Sequence, residues 1–207
     1  MTKNPHRLVG AGYDDIADAY LERFGASAVR QKWLDRLTDD LPADGGRVLD
    51  LGCGAGIPVA RDLAALGHHV VGVDGSAQQI ARARRNVPEA TFIEADMCEL
   101  AFEADSFDAV AAFYSITHVA PARQGTLIAS IATWLRPGGR LIASFGTGAA
   151  GEWTGEWLGT TMFFGHVGEA ETRRNLADAS LHIRRSSVEQ QDNEQVSFLW
   201  IEAVKVL

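Results

Sequence analysis

Apolar residues recur along this chain in two spacings, which together predict a series of strands and helices. Short continuous apolar runs predict buried strands, and longer segments with apolar positions three or four apart predict amphipathic helices. The predicted strands cover about residues 47–51, 69–73, 90–96, 107–113 and 140–145, and the predicted helices between them cover 58–66, 77–86 and 121–135. Strands that alternate with helices are joined by right-handed crossovers into a mainly parallel sheet. The pattern therefore predicts an α/β fold.

The two ends of the chain extend this pattern. Residues 11–38 carry apolar positions at helical spacing and are interrupted near Gly25, so they predict two helices. A further helix is predicted at 168–179, and two strand-like runs follow at 182–189 and 196–206. The short polar segment between these runs suits a hairpin, which makes the last strand antiparallel to its neighbours.

A glycine-rich turn follows the first predicted strand and is the clearest sign of ligand binding. Gly52, Gly54 and Gly56 alternate there, and glycine lets the backbone adopt positive φ angles and lets a ligand approach without meeting a Cβ atom. Asp74 ends the second predicted strand about 20 residues downstream. In a βαβ unit this separation places a carboxylate on the ribose hydroxyls of a bound nucleotide.

Composition and charge narrow the class of protein. A chain of 207 residues can bury one substantial core, which predicts a single domain over residues 1–207. The net charge of −8 argues against a broad surface for phosphates, so we expect a small-molecule partner and no nucleic acid. No segment approaches the roughly 20 apolar residues that cross a bilayer, and we expect a cytoplasmic monomer or homodimer without membrane contact. Cys53 and Cys98 lack metal-ligand spacing, so no metal site is predicted.

Several motifs, taken in order, resemble one family. They are Tyr13–Tyr20, Val48–Gly56, Val73–Ser76, Ala95–Met97, Phe107–Val110 and Leu135–Leu141. In order and spacing the chain resembles the class I S-adenosylmethionine-dependent methyltransferases, in particular the small bacterial ones. The resemblance implies a Rossmann-like, doubly wound, seven-stranded and mainly parallel sheet with a C-terminal antiparallel hairpin strand. It implies S-adenosylmethionine as cofactor and S-adenosylhomocysteine as product.

The resemblance also implies roles for the residues of the glycine turn. Asp50 stands where the family uses a carboxylate to orient the ammonium group of the cofactor. The backbone of Gly52, Cys53, Gly54 and Gly56 would lie against the methionine and ribose portions. The alternative for Asp50 is a carboxylate that caps a helix or is hydrogen-bonded within the core.

Residues after the second and third strands would bind the nucleoside. Asp74 would accept hydrogen bonds from both ribose hydroxyls. The alternative is that Asp74 caps the next helix, although Ser76 already fills that position. Asp96 would accept a hydrogen bond from the adenine amino group, and the backbone N–H of Met97 would face a ring nitrogen. The remaining candidates for cofactor binding are Gly75, Ser76 and Phe113 near the adenine and crevice, and Tyr13 and Tyr20 near the cofactor's carboxylate.

Methyl transfer from a sulfonium is an in-line displacement, so the protein mainly has to align the reactants. This alignment can lower the activation barrier by roughly 7 to 11 kcal/mol. A general base adds on the order of 10² to 10⁴-fold where the acceptor is protonated. His118 and His166 compete for that role, and the alternative for each is a structural histidine held by hydrogen bonds. Tyr114 faces the same crevice and completes the candidate catalytic residues.

Residues 146–167 break the alternation of strands and helices. They combine glycines with Trp153, Trp157, Phe163 and Phe164, which either cover the edge of the sheet or wall an acceptor pocket. Glycines between them would let the segment move as a lid. We divide the chain into an N-terminal helical lid at 1–40, a cofactor-binding core at 41–145, and an acceptor-side segment with the terminal hairpin at 146–207.

The sequence says least about the chemical group that accepts the methyl group. After the fourth strand this chain has Phe113–Ile116 where methyltransferases of exocyclic amines carry Asn/Asp-Pro-Pro-Tyr, which favours a hydroxyl, thiol or heterocyclic nitrogen. One alternative is a catalytically silent subunit that binds the cofactor and regulates a partner. A second is an NAD(P)-dependent oxidoreductase. It is disfavoured because Ile57 and Val59 stand where a third Rossmann glycine is expected, and because no Tyr-x-x-x-Lys pair exists.

Overall fold

A computed structural model describes residues 5–192 and 194–206. The helices are α1 (Pro5–Phe24), α2 (Ala28–Thr38), α3 (Val59–Ala65), α4 (Ala77–Asn86), α5 (Pro121–Trp134) and α6 (Glu169–Asp178). The strands are β1 (Arg47–Leu51), β2 (His69–Asp74), β3 (Thr91–Glu94), β4 (Phe107–Ala112), β5 (Leu135–Gly146), β6 (Gly151–Trp157), β7 (Thr160–His166), β8 (Leu181–Gln190) and β9 (Ser197–Lys205). A 3₁₀ turn covers Ile116–His118.

Seven strands form one sheet in the order β3-β2-β1-β4-β5-β9-β8. The first five pair in parallel, and β9 runs antiparallel to both β5 and β8. The chain leaves β1 toward β2 on one side and leaves β4 toward β5 on the other. A crevice therefore opens at the carboxyl ends of β1 and β4, where ligands bind in open α/β sheets. The predicted sheet, including its antiparallel last strand, is confirmed.

Apolar side chains cover both faces of the sheet because successive residues of each strand point to opposite sides. Leu49 and Leu51 of β1 pack with Leu127 of α5 on one face, whereas Val48 packs with Leu63 of α3 on the other. On that second face, the rings of Trp33 and Trp200 stack with their centroids 5.5 Å apart. Helices on both sides thus fix the sheet whose edge carries the crevice.

The start of β5 differs from the prediction. The sequence predicts a strand over residues 140–145, which leaves Arg136–Gly139 as a connection after the helix, but β5 already begins at Leu135. Its pairing with β4 is irregular, since the register shifts between Phe107 and Ala109. Proline and glycine in an irregular strand resemble a turn in sequence, which explains the error.

Residues 151–166 form a second, two-stranded sheet in place of a glycine-hinged loop. Strands β6 and β7 pair antiparallel, and Trp157 and Thr160 flank a two-residue connection. Leu158 and Gly159 in that connection have φ angles of 51° and 82°, as in the type I′ turn that joins tight hairpins. Leucine is not a typical residue of that turn, so the sequence carried a weak hairpin signal.

Candidate active site

The glycine turn after β1 leaves space beside the crevice. The backbone N–H groups of Gly52 and Cys53 donate hydrogen bonds to the carbonyl oxygen of Val73, at 2.7 and 3.0 Å. A Cβ atom at Gly52 would lie 2.3 Å from the Cβ atom of Ser115, so the turn depends on glycine there. A Cβ atom at Gly54 would meet no atom within 4 Å, because this residue faces open space. That open face fits a ligand lying along the backbone.

Asp50 is buried at the end of β1, beside this turn. Its Oδ2 atom has no hydrogen-bond partner among the described residues. Burial, followed by the nearby charge of Asp74, raises the pKa of Asp50 to about 7. A buried carboxylate oxygen without a partner is unfavourable unless a donor or a cation occupies the adjacent space. The position therefore fits the ammonium group that the resemblance assigns to Asp50.

Arg30 lies on the same cavity as Asp50 and was missed in the sequence. The Arg30 guanidinium donates to the carbonyl oxygen of Phe24 at 2.9 Å, and its carbon lies 5.3 Å from the ring centre of Tyr114. Asp50 and Arg30 together offer opposite charges to the zwitterionic end of an amino acid. The missed signal was helical spacing, because Arg30 shares the apolar face of α2 with Trp33 and Leu34.

Asp74 ends β2 and lines a neighbouring cavity. Its two carboxylate oxygens accept hydrogen bonds from the backbone N–H groups of Gly54 and Ser76, each at 2.9 Å. Burial raises the pKa of Asp74. Each carboxylate oxygen has a second lone pair, so ribose hydroxyls could be accepted in addition. The two N–H groups hold the carboxylate in the orientation that such binding needs.

We expect Asp74→Asn to weaken binding of S-adenosylhomocysteine by about 2 kcal/mol, because a charged acceptor of two hydroxyl groups is lost. Isothermal titration calorimetry on the purified variant measures this change. Asp44→Asn, at an exposed loop position, serves as the control and should bind as the parent protein does. Unchanged affinity in a folded Asp74→Asn protein would contradict the ribose assignment.

Asp96 and its neighbours line the far end of the Asp74 cavity, together with Met97 and Gly75. The Asp96 carboxylate accepts a hydrogen bond from the Cys98 N–H at 2.9 Å and pairs with Arg123 at 3.3 Å. This arrangement holds one carboxylate at the edge of a largely apolar cleft. A planar base with an amino group would fit that cleft.

Two predicted residues lie outside the described cavity linings. Ser76 is fully buried and caps α4, and its hydroxyl donates to Asp14 of α1 at 2.5 Å. A Cβ atom at Gly56 would lie 3.2 Å from the ring of Phe92, so this glycine serves packing against α4 and β3. Both residues therefore have structural contacts and line neither of these cavities, and their contact with the cofactor stays a prediction.

Helix α1 covers the Asp74 cavity beside the turn after β2. A Cβ atom at Gly10 would lie 2.6 Å from the carbonyl oxygen of Gly75, so the helix backbone rests directly on the turn after β2. Pro5, His6 and Val9 of the same helix line the Asp74 cavity. Asp14 also accepts a hydrogen bond from the backbone N–H of Gln78 at 3.0 Å. The helix is thus fixed to the first turn of α4.

His118 lies at the end of the 3₁₀ turn after β4, with both ring nitrogens engaged. Its Nδ1 atom is 2.9 Å from the carbonyl oxygen of Phe163, and its Nε2 atom is 2.9 Å from the hydroxyl of Tyr13. A carbonyl only accepts, so Nδ1 carries the hydrogen and Nε2 accepts from Tyr13. Burial lowers the pKa of His118 to about 4. The imidazole is therefore neutral at pH 7, with its basic nitrogen toward Tyr13.

A second cavity of about 500 Å³ lies between α1, the β6–β7 hairpin and the start of β9. Trp153 and Phe164, which are cross-strand partners, line one wall, with Trp157 beside them. His166 also lines this cavity. Its ring lies directly against Gly146, because a Cβ atom added there would lie 2.4 Å from His166 Nδ1. The aromatic segment therefore walls a pocket, as one of the two interpretations of the sequence predicted. Phe163 faces away and is buried.

The two cavities meet at four shared residues. Tyr13, Tyr20, Tyr114 and His118 line both of them. Tyr114 adopts a φ angle of 59°, and its N–H donates to Ser144 Oγ at 2.6 Å, which turns the chain out of β4 toward the crevice. Burial raises the pKa of Tyr114 to about 12. Phe113 lines the cofactor side of the junction. His118 is thus at the junction, whereas His166 lies farther into the aromatic cavity.

The described ranges contain neither a metal-binding cluster nor a membrane-spanning helix. In the described ranges, no group of three or more His, Cys, Asp or Glu side chains is arranged to hold a metal ion. None of the helices within those ranges is both long and apolar enough to cross a membrane.

Comparison with known proteins gives concordant results. A family described as a methyltransferase domain matches residues 48–139. A demethylmenaquinone methyltransferase from Beutenbergia cavernae is 36% identical over 151 residues, which cover 71% of this chain and 61% of that protein. A 27-O-demethylrifamycin SV methyltransferase from Amycolatopsis mediterranei is 31% identical over an alignment that covers 95% of this chain and 79% of that protein. The chain thus spans about three fifths of the first relative's length.

Solved structures share the fold. A magnesium protoporphyrin IX methyltransferase from Synechocystis, with bound S-adenosylmethionine, superimposes with a TM-score of 0.76 and 20% identity, covering 99% of this chain and 98% of that one. A 1,6-didemethyltoxoflavin-N1-methyltransferase from Burkholderia thailandensis has a TM-score of 0.73 and 23% identity, covering 95% and 85%.

Proposed function

The chain belongs to the class I S-adenosylmethionine-dependent methyltransferases, and we propose that it methylates a hydroxyl group of a planar, largely apolar small molecule. The observation that carries this proposal is the junction of the two cavities. The cofactor cavity and the aromatic cavity are adjacent, since Tyr13, Tyr20, Tyr114 and His118 line both, and the methyl group would pass between these side chains to an acceptor in the aromatic cavity.

We assign the cofactor to the cavities around the glycine turn. Asp50 and Arg30 would bind the ammonium and carboxylate groups of its amino-acid end, since one is a buried oxygen without a described partner and the other a buried cation. Asp74 would bind the ribose and Asp96 the adenine amino group. When bound, the cofactor supplies an electrophilic methyl group and leaves as a neutral thioether.

The aromatic cavity supports a planar acceptor. Indole and phenyl rings bury large apolar surfaces and prefer stacked or edge-to-face partners. Trp153, Trp157 and Phe164 present such rings from the hairpin and α1 adds Phe24. The named relatives act on demethylmenaquinone and 27-O-demethylrifamycin SV. These names also favour a cyclic small molecule as the acceptor of this chain.

A hydroxyl is favoured over an amine by the base at the junction. A hydroxyl acceptor is protonated near pH 7 and must lose its proton as it is methylated, so it profits from a general base. His118 is neutral and has its basic Nε2 atom at the junction, in contact with Tyr13. His166 lines the same cavity and would contact a second polar group of the acceptor.

The proposal is tested in two steps with the purified protein. Calorimetric titration with S-adenosylhomocysteine, with NAD as the control ligand, tests the cofactor site. Incubation with methyl-labelled cofactor and a panel of phenols, hydroxyquinones, thiols and heterocyclic amines then tests the acceptor. Labelling of hydroxyl compounds supports the proposal. Labelling of only thiols or amines contradicts it, and cofactor binding without turnover on the whole panel indicates a silent subunit.

We expect Trp153→Ala to raise the KM for the acceptor about tenfold, because one wall of the pocket loses an aromatic contact worth about 1.5 kcal/mol. Trp153 is half-exposed and contacts Phe164, with the ring centroids 5.8 Å apart, so the fold should tolerate the change. Steady-state kinetics measure KM, and calorimetry should show unchanged affinity for S-adenosylhomocysteine. Trp153→Phe should restore most of the affinity. An unchanged KM would place the acceptor elsewhere.

A further inference from the structure

Tyr13 joins the N-terminal helix to the basic nitrogen of His118. The phenol hydroxyl is 2.9 Å from Nε2, and the two rings meet edge to face with their centroids 5.3 Å apart. The resemblance placed Tyr13 near the cofactor's carboxylate. That expectation stays untested, and the structure directs the Tyr13 hydroxyl to the one ring nitrogen of His118 that is able to accept a proton.

This contact changes how an acceptor reaches the base. Nε2 already accepts from Tyr13, and Nδ1 carries the hydrogen directed at the Phe163 carbonyl. The Tyr13 hydroxyl, by contrast, uses its one hydrogen on Nε2 and keeps its capacity to accept, and the Tyr13 side chain lines both cavities. The atom through which a bound hydroxyl can transfer its proton is therefore the Tyr13 oxygen.

Resting on the proposed function, we propose that Tyr13 is a catalytic residue that passes the acceptor proton to His118. The acceptor O–H bond breaks and its proton moves to Tyr13 Oη, while the Tyr13 proton moves to His118 Nε2. The electron pair left on the acceptor oxygen forms the new bond to the methyl carbon. After the methylated product leaves, Nε2 returns its proton to Tyr13 Oη while Tyr13 releases a proton to water in the aromatic cavity, which restores the neutral imidazole. Tyr13 ends the step with its hydroxyl restored.

The charges around the pair are consistent with a relay. Burial raises the pKa of Tyr13 well above its usual value, with Tyr20 and Asp74 acting in the same direction and Arg30 opposing them. Tyr13 thus keeps a proton at rest and serves only to transmit one. His118 is a weak base, but an oxygen that is forming a third bond becomes strongly acidic, so a weak base suffices late in the reaction.

The first measurement is spectroscopic and needs neither cofactor nor acceptor. Protein labelled with ¹⁵N-histidine is compared at neutral pH with Tyr13→Phe, which retains the ring and loses the hydroxyl. The Nε2 resonance of His118 should move toward the value of a pyridine-type nitrogen without a hydrogen bond, while Nδ1 stays in the protonated range. An unchanged Nε2 resonance would overturn the relay, whatever acceptor the enzyme proves to use.

The second measurement separates proton transfer from positioning. At about pH 8.5 an ordinary phenol, with a pKa of about 10, is protonated, whereas 4-nitrophenol is ionised. Tyr13→Phe should lower the methylation rate of the protonated hydroxyl acceptor about 10²-fold and leave that of the ionised one nearly unchanged. Equal losses on both would assign Tyr13 to positioning and overturn the relay. A far-ultraviolet circular dichroism spectrum and a thermal unfolding transition like those of the parent show that the variant is folded. A parent protein that methylates no hydroxyl would instead contradict the proposed function, while leaving the spectroscopic result valid.

Discussion

Asp50→Asn is expected to bind S-adenosylhomocysteine about 30-fold more weakly, a loss of about 2 kcal/mol, while making the cofactor-free protein more stable. The loss follows from removing the negative charge that faces the ligand's ammonium group. The gain follows from the buried carboxylate, whose Oδ2 lacks a partner in the described chain and whose pKa is raised to about 7. Cofactor binding is thus expected to favour a carboxylate at position 50, whereas the stability of the cofactor-free protein favours an uncharged side chain there.

The pH dependence of this gain has a definite sign. Between the unfolded pKa of about 4 and the folded pKa of about 7, the folded protein binds more protons than the unfolded chain. Asp50 therefore lowers the free energy of unfolding as the pH rises through that window. At pH 8, Asp50→Asn should unfold with about 4 kcal/mol more free energy than the parent, and near pH 4 the difference should nearly vanish.

Urea unfolding of the cofactor-free proteins at both pH values measures this difference, and calorimetry measures the affinity. Asp44→Asn, exposed and remote, is the matched control for a lost carboxylate. A variant that loses stability at pH 8 would mean that Asp50 is held by an internal partner. A variant that keeps its affinity would remove Asp50 from the cofactor site.

His118→Asn is expected to lower kcat by about 10² to 10³-fold and to leave the affinity for S-adenosylhomocysteine unchanged. Asparagine can still donate to the Phe163 carbonyl and accept from Tyr13, so the local hydrogen bonds have replacements while the base is lost. Single-turnover assays on the acceptor identified by screening measure the chemical step. An unchanged rate would show that alignment alone suffices.

The same variant should alter the response of stability to acid. The folded pKa of His118 is about 4, below the unfolded value of about 6.5, so between these values the unfolded chain binds more protons. The parent should therefore lose about 2 kcal/mol from this residue between pH 7 and pH 5, and His118→Asn should not. His182→Asn, at an exposed position, should behave as the parent does. Equal acid sensitivity of His118→Asn and the parent would contradict a neutral, buried His118.

The sequence predicted the sheet well because its strands are continuous apolar runs between unmistakable turns. The positions of Asp50 and Asp74 were predictable too, since their place at strand ends fixes them relative to the glycine turn. Arg30 was not recognised, because a charged residue on a helix is usually solvated. Only its spacing from Trp33 and Leu34 reveals that it faces inward.

Contacts between distant segments were beyond sequence reasoning. Tyr13 and His118 are 105 residues apart, and nothing in either local pattern indicates that they meet. The β6–β7 hairpin was obscured by its glycines. Gly155 is needed because the indole of Trp153 lies across it, with ring atom Cζ2 2.3 Å from where a Cβ atom would stand. Such a glycine serves packing within a strand, although in sequence it resembles a hinge.

The close seating of α1 on the turn after β2 has a kinetic consequence. Gly10 rests on Gly75 and its helix lines the Asp74 cavity, so if the nucleoside binds there as proposed, we expect that end of the helix to lift when it enters or leaves. Tyr13, Tyr20 and Phe24 of the same helix line the aromatic cavity, so that cavity is complete only when the helix is in place. Binding should therefore be ordered, with the cofactor first and the acceptor second, and the spent cofactor should be the last product to leave.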